Sequence, residues 1–476
     1  MRSVYHRIHV EIKKEDPTMK KLVALLLAAM MLCASVLAVA EAPEGYPEVV
    51  EGIDFGGRTV KIYTWYSMDR SENPTEEEQA LYDYRDWLMK TYNCTIEYEV
   101  PYDWATSIDY LTNFVTTADS SQLAIFTMPM DFIGPAVKNN LLMPLNDLLD
   151  VTDEKWNAGT TEFMTSNGNV TALWNGASEP RECVFFNITA LKDANITPDD
   201  IYDMQANGTW TWDAMLDLFA KVQKDVDGDG VVDVWASTGS GDDLLLAAIY
   251  SNNGSIYKYE DGQLKVGLGS ENTIEALSFV QKIRNEYFRK AMTDAEGNQE
   301  QWDYYKQAFV QGEGVFRFGQ TWEGFNGNEA MNTDGFEWGC VAFPTGPKAE
   351  AGAYKSIVND NLMCIPNVYS AEDAKLLGFV LDAWHNPTPG YEDDTEGWIG
   401  NKYNYTDDRA VDETYAMMRE AEHTVRDPYV FLGDKNTVLG PDLMWAIDSA
   451  DAAALVESVL PVFQSRADDF NGVAAE

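Results

Sequence analysis

Three features of the sequence predict an α/β fold, with helices on the faces of mixed sheets. Residues 59–126 run strand, helix, strand, helix, strand, the rhythm of a parallel sheet with crossover helices. Within that run, residues 95–100 alternate cleanly, with Ile96, Tyr98 and Val100 apolar between Thr95, Glu97 and Glu99. Farther on, residues 209–235 open on Trp210 and Trp212 and continue with Met215, Leu216 and Phe219 at helical spacing. Thr211 is the expected N-cap of that helix, and Asp213 sits where the helix dipole favours an anion.

Taken in order, residues 59–64 read as the first strand. A helix follows Pro74, with Thr75 and Glu78 at capping-box spacing and Leu81, Tyr84 and Leu88 on its buried face. Strand 95–100 leads to a second helix near 105–117, marked by Ile108, Leu111 and Val115. Residues 123–126 form a short, continuously apolar strand. In such sheets ligands bind beyond the carboxyl ends of the strands. The turns at those ends carry Trp65, Tyr66 and Asp69, then Trp104, then Asp131. Those five residues are therefore candidate ligand contacts. Residues 170–174 and 183–187 read as extended structure around 175–181, and residues 315–318 as a further strand. The tail 456–476 is partly polar.

The formal charge is −44 over 476 residues. Nucleic acid needs Lys and Arg on its phosphates, and anionic lipid needs them too, so neither is a partner. The acidic excess reads as a solubilising surface. Residues 1–18 read as an untranslated upstream extension. Met19-Lys-Lys, an apolar run to Leu37 and the small-x-small Ala38-Val-Ala read as a signal peptide, 19–40, cleaved after Ala40. The protein is thus expected outside the cytoplasm, in the periplasm, at the cell surface or free. Cys33 lacks the small residue that a lipoprotein box wants before it, because Leu32 stands there. Cys94, Cys183, Cys340 and Cys364 are widely spaced beside apolar residues, which speaks against a zinc cluster. Their sequence leaves three pairings and buried free thiols open.

The loop Asp225, Asp227, Asp229, Gly230, Asp233 puts carboxylates at positions one, three, five and nine of a calcium loop, with glycine at six. Position twelve, ordinarily a bidentate Glu, is Ala236. These four Asp are candidate ligands of a structural calcium; no other cofactor is expected. Catalytic signatures are lacking: there is no G-x-S-x-G, no P-loop and no H-E-x-x-H.

Several segments resemble the bacterial extracellular solute-binding proteins of ABC importers, in the maltose-binding-protein-like family 1. TWDA at 211–214 followed by DVDGDGVVD at 225–233 is similar to its "TWDE" and "DxDGDGxxD". NLLMPLND at 140–147, FFN at 185–187, FVQGEGVF at 309–316 and FPTGP at 343–347 follow in the family's order. The resemblance implies a two-lobed, type II periplasmic-binding-protein-like fold with a ligand cleft between lobes. It implies lobe 1 at 44–180 plus 330–386, and lobe 2 at 181–329 plus 387–476. It places Trp322, with Glu323 beside it, on a sugar ring, and Glu182 near an acidic ligand position at the crossover. Trp174, Asp242, Asp243 and Trp398 are weaker candidates, while Trp210, Trp212 and Trp235 look structural. The implied function is capture of a carbohydrate, an oligosaccharide, by a monomer that hands it to an ABC permease without chemistry. The alternatives are a secreted glycan-active hydrolase or lyase, and a binder of peptides or cations.

Overall fold

The computed structural model describes residues 42–117, 120–260, 262–293, 296–325, 331, 335–392 and 407–472. The expected signal peptide, Cys33 and Trp398 lie outside them. Eight strands build two sheets: β1 Thr59–Tyr63, β2 Thr95–Glu99, β3 Leu123–Pro129, β4 Glu182–Asn187, β5 Trp235–Gly239, β6 Gly314–Gln320, β7 Trp338–Ala342 and β8 Asn361–Cys364. The first sheet runs β8-β3-β1-β2, with β1 parallel to β2 and β3, and β8 antiparallel to β3. The second runs β7-β4-β6-β5, with β4 antiparallel to β7 and β6, and β6 parallel to β5.

Five helices matter most to the site: α1 Glu76–Thr91, α2 Ser107–Thr116, α3 Trp212–Val222, α4 Gly241–Ser251 and α5 Ala371–Trp384. The Thr75/Glu78 capping box is formed at the start of α1, and Thr211 caps α3 by accepting from the Ala214 amide. Both ends thus satisfy backbone donors that a helix leaves unpaired.

Val60, Ile62, Leu123 and Ile125 form one face of the first sheet and pack on Tyr84 and Leu88 of α1 and on Leu377 and Leu381 of α5. The opposite face, with Tyr63 and Phe126, meets Leu111 of α2. In the second lobe Trp212, Met215 and Phe219 of α3 are buried, as their spacing predicts. Trp210 and Trp212 are structural: their indole N–H groups donate to the Ala342 carbonyl oxygen at 2.8 Å and to Ser251 Oγ at 3.1 Å. Val100 departs from its expected inward place. It lies one residue beyond β2 and is exposed. All four described cysteines are free thiols, and Cys183, Cys340 and Cys364 are buried.

The lobe boundary expected at 330 differs in the structure. β7 lies in the second sheet, where Trp338 pairs with Asn187 and Ala342 with Cys183. The return to the first sheet comes later, between β7 and β8. An apolar strand shows that it is buried but not which sheet buries it, and this is a tertiary choice.

Three passages of the chain between the sheets lie side by side. Arg181 N–H donates to the Ile357 carbonyl oxygen at 2.9 Å, and Ser356–Ile357 pairs in parallel with Thr424–Val425. Arg426 donates to Asn157 Oδ1 at 3.0 Å and Thr160 Oγ1 at 2.9 Å, and also reaches Ser178 and Asp360. Its neighbour Asp427 accepts from the amides of Ile256 at 2.7 Å and Tyr257 at 3.1 Å.

β5 ends at Gly239, where φ is +134° and an added Cβ would lie 2.2 Å from the Phe318 carbonyl oxygen. Both the conformation and the space demand glycine. Gly239→Ala is expected to destabilise the protein by about 2–3 kcal/mol. Denaturant unfolding measures this; an unchanged midpoint would show that β5 and β6 can separate without loss.

Candidate functional site

Between the lobes lies a cavity of about 1190 Å³. The first lobe lines it from the carboxyl ends of its parallel strands: Trp65, Tyr66 and Ser67 after β1, Trp104 after β2 and Asp131 after β3. The second lobe adds Asp242 and Asp243 from the start of α4, and Gln320, Trp322 and Glu323 from the end of β6. The passages between lobes supply Arg181, Asn359 and Tyr429, while Glu182 comes from the start of β4 and Lys435 from a short helix, Lys435–Val438. Seven of the eight expected ligand residues therefore share one cavity. Asp69 is the exception: it is exposed, outside the lining, and accepts from Ser67 Oγ at 2.5 Å. Trp174 is also outside the lining, with its indole N–H on the Ala177 carbonyl oxygen at 3.0 Å.

The tryptophans are held at their edges. Trp65 meets Tyr66 edge-on at 5.0 Å, and Trp104 meets Phe132 edge-on at 4.5 Å. Trp322 is 45% exposed, and its indole N–H donates to Gln320 Oε1 at 2.7 Å. Gln320 Nε2 donates onward to Asp243 Oδ1 at 2.8 Å. This chain fixes the indole while leaving much of its surface open. Trp302, which sequence reasoning missed, is 76% exposed in the lining, with Lys306 Nζ 5.3 Å from its ring centroid. It stands in an irregular segment without periodicity, so only its residue type could have signalled it.

The acidic residues divide by their partners. Glu323 pairs with the buried Arg317 and accepts from the Gln320 amide at 3.1 Å, so its carboxylate holds the β6 turn. Glu182 Oε2 accepts from the Ile357 amide at 3.0 Å and Ser356 Oγ at 3.2 Å. Asp131 is buried and accepts from Asn359 Nδ2. Burial pushes the Asp131 carboxyl up, against the pull of Lys435 and Arg181. Burial alone would lower Lys435, but Asp243, Asp242, Asp131 and Glu182 together hold its pKa above the ordinary lysine value. Its Nζ lies 3.9 Å from Asp243 Oδ1.

The acidic loop lies apart from the cavity lining. Carboxylate oxygens of Asp225, Asp227 and Asp229 lie within 4.8 Å of one another. Asp233 instead accepts from the Val226 amide at 2.6 Å.

Burial, reinforced by the Asp243 charge, pushes Glu182 up to about 8 from 4.5. The folded state thus keeps a proton that the unfolded chain releases, and stability falls as pH rises through that window. His385 acts in the opposite sense, but burial lowers it from 6.5 to about 4, so its effect ends near 6.5. Between pH 6.5 and 8, Glu182 is expected to lower stability by up to about 1.4 kcal/mol per pH unit. Glu182→Gln should reduce that slope in denaturant unfolding; an equal slope would exclude Glu182 as its source.

A family model described as bacterial extracellular solute-binding protein matches residues 85–386. No curated protein matches by sequence. Among solved structures, a cyclo/maltodextrin-binding protein complexed with maltotetraose is 14% identical, with a TM-score of 0.57 over 86% of this chain and 97% of that one. Lmo0181 of Listeria monocytogenes, an ABC substrate-binding protein in complex with cycloalternan, is 11% identical, with a TM-score of 0.56 over 87% and 97%. UgpB of Mycobacterium tuberculosis, in complex with glycerophosphocholine, is 14% identical, with a TM-score of 0.57 over 86% and 98%. At these identities the likeness is one of fold. The family match spans more than half of the sequence, and the chain belongs to the bacterial extracellular solute-binding proteins.

Proposed function

We propose that the protein captures an oligosaccharide in the interlobe cavity and hands it, as a monomer, to an ABC permease after hinge closure. The observation that carries this reading is the pair of aromatic walls, Trp65 and Trp104 on one lobe and Trp302 and Trp322 on the other. Sugar rings present C–H groups on their faces and hydroxyls on their rims. Aromatic surfaces cover the first, and side-chain amides and carboxylates bond the second. The charges of the lining are nearly balanced: Asp131, Glu182, Asp242, Asp243 and Glu323 face Arg181, Arg284, Lys306 and Lys435. That balance suits a neutral polar ligand better than a cation. The bound maltotetraose and cycloalternan of two structural neighbours support the same ligand class. Export with cleavage after Ala40 belongs to this reading.

Trp322→Ala is expected to weaken sugar binding by about 1–3 kcal/mol. Calorimetry against an oligosaccharide panel measures it, and unchanged affinity with the fold intact would remove Trp322 from the site. Chromatography of the same mixtures should return intact sugar. Shorter products would replace the binding reading with a glycan-active enzyme.

Calcium at Asp225, Asp227 and Asp229 is proposed as a structural ion. Calcium should raise the melting temperature by mass action, and Asp227→Asn with Asp229→Asn should abolish the rise. A rise that survives the double substitution would place the ion elsewhere.

A further inference from the structure

We propose that Glu420, Glu422 and His423 form a site for a divalent transition-metal cation of the zinc class, beside the third passage between lobes. The three side chains each bring one ligand atom, all within 4.8 Å of one another. His423 is the ordering element. It is only 8% exposed, and its Nδ1 lies 2.8 Å from the Tyr354 carbonyl oxygen. A carbonyl only accepts, so Nδ1 carries the hydrogen and the lone pair of the neutral ring falls on Nε2. This is the arrangement by which metal-binding histidines are oriented from behind.

Nε2 faces Glu422 Oε1 at 3.8 Å, too long for a hydrogen bond. Two ligands on one zinc ion, each about 2.0–2.1 Å from it, stand about 3.3 Å apart in a tetrahedron. A small adjustment of two exposed glutamates meets that spacing. One imidazole nitrogen and two carboxylates suit zinc and leave a fourth position to water, whereas calcium takes oxygen ligands. Lys355 Nζ donates to the Glu422 carbonyl oxygen, not to its carboxylate. His423 directly precedes Thr424–Val425, which pairs with Ser356–Ile357, so the ion would sit at the end of that pairing.

The test is calorimetric titration of the purified protein with zinc alone. One zinc site is expected, weakened at least tenfold in Glu420→Gln/Glu422→Gln. Both glutamates are exposed, so that variant should melt like the parent without metal. Asp225→Asn/Asp227→Asn should leave zinc binding unchanged. X-ray absorption at the zinc edge should show one imidazole among oxygen ligands. No zinc uptake, equal binding by the double glutamine variant, or loss only with the aspartate variant would overturn the proposal.

Discussion

The structure depends on burying charge where the chain passes between its lobes. Arg426 and Asp360 are both largely buried, and Asp360 Oδ2 also accepts from Ser178 Oγ at 2.9 Å. Removing one partner from such a set strands a charge in a low-dielectric interior, which commonly costs about 3–5 kcal/mol. The adjacent residue is anchored the other way. Asp427 accepts the Ile256 and Tyr257 amides of the second lobe, while Arg426 holds Asn157, Thr160 and Ser178 of the first. Two consecutive residues thus grip opposite lobes.

That arrangement also makes the cavity floor. Tyr429 and Lys435 lie two and eight residues beyond Asp427, and Arg181 and Asn359 come from the neighbouring passages. Arg181 donates to the Asn359 carbonyl oxygen at 2.8 Å, so two of the passages are cross-linked at the cavity. Its balanced charges contrast with the −44 of the whole chain. The acidic excess therefore does not extend into the cavity lining, where five carboxyls face four cations.

Sequence reasoning reaches the site where local chemistry and position coincide. Trp65, Trp104 and Asp131 follow strands of a parallel sheet, and the strand–helix rhythm is visible without any contact. Trp322 is reached through its motif. Glu182 and Glu323 are expected as ligand contacts from the resemblance, but a matching position does not reveal a partner: one carboxyl serves Ile357 and Ser356, the other Arg317. Trp302 escapes sequence reasoning because its segment has no periodicity, and Lys435 because its partner Asp243 is remote in sequence. The same cause misplaces β7, whose sheet is chosen by its pairing with β4.

Closure follows from where the aromatic surfaces sit. A ligand shifts the open–closed balance only by its extra contacts in the closed state. A sugar lying on Trp65 and Trp104 alone would bind without favouring closure. Trp302 and Trp322 line the cavity from the other lobe, so contacts to them would be the differential ones. Moving a balance from 1:99 to 99:1 needs about 5.5 kcal/mol of such difference. Two buried aromatic faces, at about 1.5–3 kcal/mol each, are of that order. Under the proposed function, the second-lobe tryptophans are the groups through which binding and closure would be coupled, and the first-lobe pair would set the affinity of the open form.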